Sequence, residues 1–198
     1  NDLLRYSSPS ADTIVRDDVV RAIAQRENQA FLRDAGTDAT PKGMLNWAPA
    51  ANRVASTGTA LADVVADLSQ NMLTLMNANI PEGRWAWLMS PRNFMTLTTI
   101  ANANGFFVFR DEMVQRGTLW GFPFGKSTQV PGTGATGELY LTNMADAVIG
   151  EAQNMIVDAW MEAAYVDSTG TMIAAYSQDQ TVVRAITEHD FAMRRAES

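Results

Sequence analysis

Cysteine is absent and histidine occurs once, at position 189. Together these remove disulfides, thiolate metal sites and cysteine nucleophiles. They leave any zinc site to carboxylates almost alone, against the usual ligand preference of that metal. The lack of cysteine also suits a protein made in a reducing cytoplasm. Lysine is scarce, with only Lys42 and Lys126 present. Lys and Arg number 15 against 22 Asp and Glu, a net charge of -7, and the basic residues are scattered. A chain that grips nucleic acid shows a basic patch or stripe. Sequence-specific DNA binding is therefore not expected, although a surface that encloses packed DNA without holding it fits this charge. No apolar run approaches the roughly 20 residues of a membrane span. Residue 1 is Asn, and no basic start with an apolar centre follows it. The sequence reads as beginning inside a longer protein.

What is present is ordinary globular material, 198 residues with 46% hydrophobic and 19% charged. That suffices for one large domain or two small ones. No internal repeat or charge block is visible. A long helix is predicted to about Arg33, capped by Ser10 or Asp12, with Ile14, Val15, Val19, Ala22, Ile23, Ala30 and Phe31 at helical spacing. From about Thr13 it should form one rod packed against the last strands. Gly36, Pro41 and Gly43 place a loop after it. A second helix is predicted over 59–78, with Leu61, Val64, Val65, Leu68, Met72, Leu75 and Met76 as its apolar face. Residues 85–89 read as a buried strand. Ser90-Pro91 then starts a helix to about Asn102. Further strands are expected at 106–109, after the turn at 120–123, at 138–142, 147–150, 155–160, 164–166 and 181–187. Residues 111–117 read as a polar loop, 131–137 as a flexible connection, and 167–170 and 177–180 as turns. The layout is α+β, with a domain over 50–145 and a discontinuous one over 1–49 and 146–198.

The residues that could carry chemistry have simpler readings. His189 lies between Glu188 and Asp190, which suggests catalysis, but such a histidine reads as a surface residue at a strand end. No Ser stands in a Gly-x-Ser-x-Gly elbow. Gly132-Thr133-Gly134 lacks the Lys-Ser/Thr of a phosphate loop. Gly36 and Gly43 follow a helix, whereas phosphate loops precede one. Asp17 and Asp18 are neighbours and share no helix face. Asp111-Glu112 reads as solvated. Trp85 and Trp87 fall on one side of a strand, as core residues do. The eleven Met sit mostly on predicted core faces. No catalytic, cofactor or metal residue is assigned.

Several stretches, taken in order, resemble the major capsid proteins of tailed phages, the Hong Kong 97-type fold. Asn1-Asp2-Leu3-Leu4-Arg5-Tyr6-Ser7 is similar to the entry of the family's spine helix. Val15-Arg16-Asp17-Asp18 through Arg26-Glu27-Asn28-Gln29-Ala30-Phe31-Leu32 is similar to the spine. Asp34-Ala35-Gly36-Thr37 with Pro41-Lys42-Gly43 resembles the loop after it, without the family's first Gly and Asp. Trp87-Leu88-Met89-Ser90-Pro91 through Phe94 resembles a strand-to-helix step of the axial domain. Gly117-Thr118-Leu119-Trp120-Gly121-Phe122-Pro123 resembles a Leu-x-Gly-x-Pro turn. Asp179-Gln180-Thr181-Val182-Val183-Arg184 through His189-Asp190-Phe191-Ala192 resembles the closing strand of the peripheral domain.

The resemblance implies a non-enzymatic structural subunit of a phage or prophage icosahedral head. Residues 50–145 would be the axial domain, and 1–49 with 146–198 the peripheral domain. Its partners would be copies of itself in pentamers and hexamers, with portal and scaffold or head protease during assembly. It would reside in the virion after assembly in the bacterial cytoplasm, without membrane or cofactor. The family's N-terminal arm and extended loop precede the spine and are not matched here, so these 198 residues are expected to fold without closing shells. The acceptor position of the family's cross-link falls at Asp179 and its Glu near Ile186, so cross-linking is not expected. An encapsulin-like shell shares the fold and stays open. A small hydrolase using His189 with an acidic partner is the reading of a different class.

Overall fold

The computed structural model describes residues 10–197 apart from 38, 134–135, 161 and 179. The motif at residues 1–7, the capping side chains of Ser10 and Asp12, and Asp179 lie outside the described residues. The chain divides into two compact units, Asn1–Glu27 with Glu151–His189, and Asn28–Gly150 with Asp190–Ser198.

The first helix, α1 (Ser10–Arg33), runs unbroken for 24 residues. Its inward row is narrower than the predicted stripe. Val15, Val19, Ile23 and Glu27, four apart, are half-buried, while Ile14 and Ala22 are exposed. The row reaches Phe31, whose ring stacks on Phe191 with centroids 5.6 Å apart. After α1 the chain doubles back. Ala35 bridges to Lys42, Gly43 N donates to Asp34 O at 2.8 Å, and a short α2 (Met44–Trp47) follows.

The larger unit is built on a four-stranded sheet, β1 (Trp85–Met89), β2 (Thr118–Leu119), β3 (Phe122–Lys126) and β6 (Leu139–Asn143), in the order β2-β3-β1-β6. β1 is parallel to β3, with Trp87 opposite Phe124, and antiparallel to β6, with Trp87 opposite Leu141. Strand periodicity points Trp85, Trp87 and Met89 inward, and all three are buried. The core around them takes Leu68 from α3 (Leu61–Asn77), Leu97 from α4 (Pro91–Thr99), and Phe109, Met113 and Leu119. Trp87 Nε1 donates to Leu119 O at 3.0 Å, so the ring is both buried and satisfied. Ser90 caps α4 by accepting from Asn93 N at 3.1 Å, with Pro91 in the first turn.

Four expectations are corrected here. Helix α4 stops at Thr99, where the hydroxyls of Thr98 and Thr99 bond back to carbonyls of the preceding turn. Residues 106–109 form no strand. Asn102 Oδ1 accepts from Asn104 N and Phe106 N, Gly105 takes φ 81°, and only Phe107 pairs, with Ala101. The predicted loop at 111–117 contains one π-helical turn, Glu112–Arg116, that buries Met113. The predicted flexible connection holds a small hairpin, β4 (Gly132–Thr133) with β5 (Thr136–Gly137).

Long strands dominate the end of the chain. β7 (Ala147–Trp160) is one strand where two are predicted, and it pairs with β10 (Val182–Met193). β8 (Ala164–Val166) and β9 (Met172–Ala174) form a hairpin. Its Asp167 carboxylate accepts from Thr169 and Thr171, and these bonds hold it below its ordinary value. β10 continues six residues beyond its predicted end. The cause is an alternation that persists through polar residues, with Thr187, His189, Phe191 and Met193 inward.

Candidate functional site

The extended β10 places His189 inside a strand, and Glu27 lies on the inward row of α1. The two meet within the smaller unit, His189 Nδ1 against Glu27 Oε1. His189 Nε2 lies 3.4 Å from Glu151 Oε1 on β7, and Thr187 Oγ1 is 3.2 Å from the same nitrogen. The ring is 19% exposed. His189 is thus not the free surface residue expected. The bond from Glu27 raises its pKa above the ordinary value, burial opposes this, and Glu151 adds to the rise. With a carboxylate at each ring nitrogen, the favoured form is an imidazolium that donates on both sides. A general base needs a neutral ring with an available lone pair. The cluster ties the helix α1 to β7 and β10 through one ring with a carboxylate at each nitrogen. The helical pattern sets Glu27 on the polar side with Arg16, Asp17, Asp18, Arg21 and Arg26. The structure corrects this and puts it on the inward row, four residues after Ile23, which is the signal that could have found it. Nothing in the pattern of 147–160 singled out Glu151.

The larger unit holds a groove of about 680 Å³ with Leu68, Leu75, Leu97 and Leu141 in its wall. Two of its acids, Asp67 and Glu138, are engaged by neighbours. Asp67 accepts from Ser56 Oγ at 2.9 Å and from Thr57 Oγ1 at 2.8 Å. Burial raises the Asp67 pKa, but these bonds and that of Thr57 N outweigh it and hold the group below its ordinary value. Glu138 pairs with Arg33 at 3.3 Å and accepts from the Tyr140 hydroxyl. Burial first, then that bond, pushes the Tyr140 phenol well above its ordinary value. The groove thus presents an apolar wall with Asp67 and Glu138 held by hydrogen bonds and an ion pair.

The remaining candidates serve the fold. Asp17 and Asp18 are exposed, and Arg21 stands 3.7 Å from Asp18, a surface pair of little energetic consequence. Glu112 is not simply solvated, since its Oε1 accepts from Thr118 Oγ1 at 3.1 Å and Gly121 N at 2.7 Å. It pins the turn that feeds β3. Gly36 takes φ 75° in the loop after α1, and Gly132 packs on Ser90. Gly134 lies outside the described residues. Ile186 is half-buried on β10. Among the described residues no group of three His, Cys, Asp or Glu is arranged to hold a metal ion, and no helix is long and apolar enough to cross a membrane.

A long helix tied to a long closing strand, together with a mixed sheet carrying two helices, is the α+β Hong Kong 97-type fold of viral shell proteins. A family model described as "Phage capsid family" matches residues 1–198, and the chain belongs to that family. It is similar to the major capsid protein of Klebsiella oxytoca phage phiKO2, 35% identical over 205 residues that cover 100% of this chain and 47% of that protein. It is also similar to the capsid polyprotein of Pseudomonas phage PAJU2, 25% identical over 98% of this chain and 31% of that protein. The chain thus spans less than half the length of these curated relatives. Among solved structures it is similar to one from Mycobacterium phage Cain, with TM-score 0.76 and 16% identity over 97% of this chain and 62% of that one. Another is described as "Capsid of empty GTA particle computed with C5 symmetry", with TM-score 0.70 and 16% identity over 100% of this chain and 67% of that one.

Proposed function

We propose that this chain is the shell-forming part of a major capsid protein, a structural subunit of a tailed-phage or prophage head that assembles with copies of itself around the genome. The observation that carries this reading is the 35% identity to a major capsid protein over the whole chain. In this reading residues 50–145 are the axial domain near capsomer axes, and 1–49 with 146–198 are the peripheral domain. Portal and scaffold or head protease act during assembly in the host cytoplasm. The subunit is not an enzyme. The His189 ring, with a carboxylate at each nitrogen, and the bonded Asp67 and Glu138 of the groove support that side of the reading. The net charge of -7 suits a wall that contains DNA by enclosure and does not bind it tightly. The test is mass spectrometry of heads purified from the producing cell. Peptides of this chain should come from the most abundant head protein. Heads in which another protein fills that place would sink the proposal.

A further inference from the structure

Asn104 is the one asparagine of the sequence that precedes a glycine. It stands at the tip of the turn from Asn102 to Phe106, which its own backbone closes. Asn102 N donates to Phe106 O and Gly105 N to Asn102 O, both at 2.9 Å. The Asn102 side chain braces the same turn, its Oδ1 accepting from Asn104 N and Phe106 N, both at 3.0 Å. Asn104 and Gly105 are exposed. Gly105 takes φ 81°, and a Cβ there would meet nothing within 4 Å. The nitrogen after Asn104 therefore carries no side chain beside it and is not walled in by neighbours.

We propose that Asn104 is a self-modifying site, which loses its side-chain amide through an imide formed with Gly105, and that the Asn102 turn sets the rate. In the first step Gly105 N attacks Asn104 Cγ. The N–Cγ bond forms, the Cγ–Nδ2 bond breaks, and ammonia leaves with the proton given up by the glycine nitrogen. Water then adds across one of the two imide C–N bonds. Opening at Cγ gives aspartate, and opening at the main-chain carbonyl carbon gives isoaspartate. Water is the only co-reactant. Ring closure requires Gly105 N to leave Asn102 O and swing toward the Asn104 side chain, so the turn must first open. Such opening is a local event of the kind exposed loops undergo without unfolding the domain. The bonds from Asn102 Oδ1 oppose it. The product places a negative charge next to Phe106 and Phe107, which are 71% and 44% exposed. The isoaspartate form also lengthens the main chain by one carbon within the braced turn.

The test follows the full-length protein through timed incubation at mildly alkaline pH, then tryptic digestion and mass spectrometry. The peptide between Arg92 and Arg110 holds Asn93, Asn102 and Asn104, so two asparagines followed by Phe94 and Ala103 serve as internal controls. The mass gain of amide-to-acid conversion should fall on Asn104, with aspartate and isoaspartate forms separating on chromatography. Conversion spread evenly over the three, or none at Asn104 in the folded protein, would overturn the site. Asn102→Ala, folded as judged by circular dichroism, should convert about fivefold faster or more, as expected for losing two hydrogen bonds that hold the turn. Asn102→Asp keeps an accepting oxygen and should stay near the wild-type rate. Equal rates in wild type and Asn102→Ala, or an Asn102→Asp rate as fast as that of alanine, would overturn the control by the turn. Should Asn102→Ala misfold, the folded wild type is compared with the same chain unfolded in urea. The folded chain should then be slower by about fivefold or more, and equal rates would overturn the same point.

Discussion

Gly43 lies where the chain turns back on the end of α1, and a Cβ there would stand 2.4 Å from Arg33 N and 2.7 Å from Ala30 O. These are backbone atoms of a helix and cannot rotate away. Gly43→Ala should destabilise the larger unit by about 1–3 kcal/mol, the usual cost of overpacking, read as a lower urea midpoint. A wild-type midpoint would show that the loop can shift. His189 gives a pH dependence with a definite sign. Its folded pKa is raised above the ordinary 6.5, chiefly by Glu27. The stabilisation is therefore complete below that ordinary value and is lost as pH rises through the folded one. Urea midpoints of the wild type should fall as pH climbs above 6.5. In His189→Gln, which cannot carry the charge, that slope should be absent. Equal slopes in the two proteins would exclude the ion pair as its source. The sequence pattern sets Glu27 on the polar side of the helix, and neither its inward place nor its partner was legible. An isolated acidic residue signals that a cation is needed without saying which one supplies it.

At the scale of elements, β1 and α4 were the most legible parts of the chain. A run of Trp-Ala-Trp-Leu-Met followed by Ser-Pro carries both the strand period and the helix cap in adjacent residues. Their energetics are correspondingly local. Trp87→Ala removes a fully buried ring and its bond to Leu119 O. It should cost about 3–5 kcal/mol, a large part of what holds a domain folded. Ser90→Ala should cost about 1 kcal/mol through the lost cap. Equilibrium unfolding of both variants checks the order, and a larger loss from Ser90→Ala than from Trp87→Ala would contradict this picture of the core. Elsewhere local chemistry defeated the pattern. Phe106 to Phe109 look like a strand, but the Asn102 side chain folds the chain into a tight turn that leaves only the single bridge from Phe107 to Ala101. Glu188, His189 and Asp190 look like the end of a strand because they are polar. The alternation nevertheless continues to Met193, because β7 pairs alongside and the inward polar residue finds carboxylate partners.

For the whole molecule, membership of the phage capsid family ties the parts together. The ordered set of short motifs, from the spine helix through the Ser-Pro step to the closing strand, was read as a resemblance to that family, and the family match over residues 1–198 agrees with it. What the sequence could not display is which surfaces other subunits cover. The central claim, that this chain builds a shell from copies of itself, is tested most directly by cryo-electron microscopy of particles formed by the full-length protein with its head partners. The expected result is a closed shell with rotationally symmetric capsomers, in which density for residues 10–197 repeats at every subunit. Particles with no shell, or a shell whose repeating wall density does not accommodate this chain, would contradict the claim.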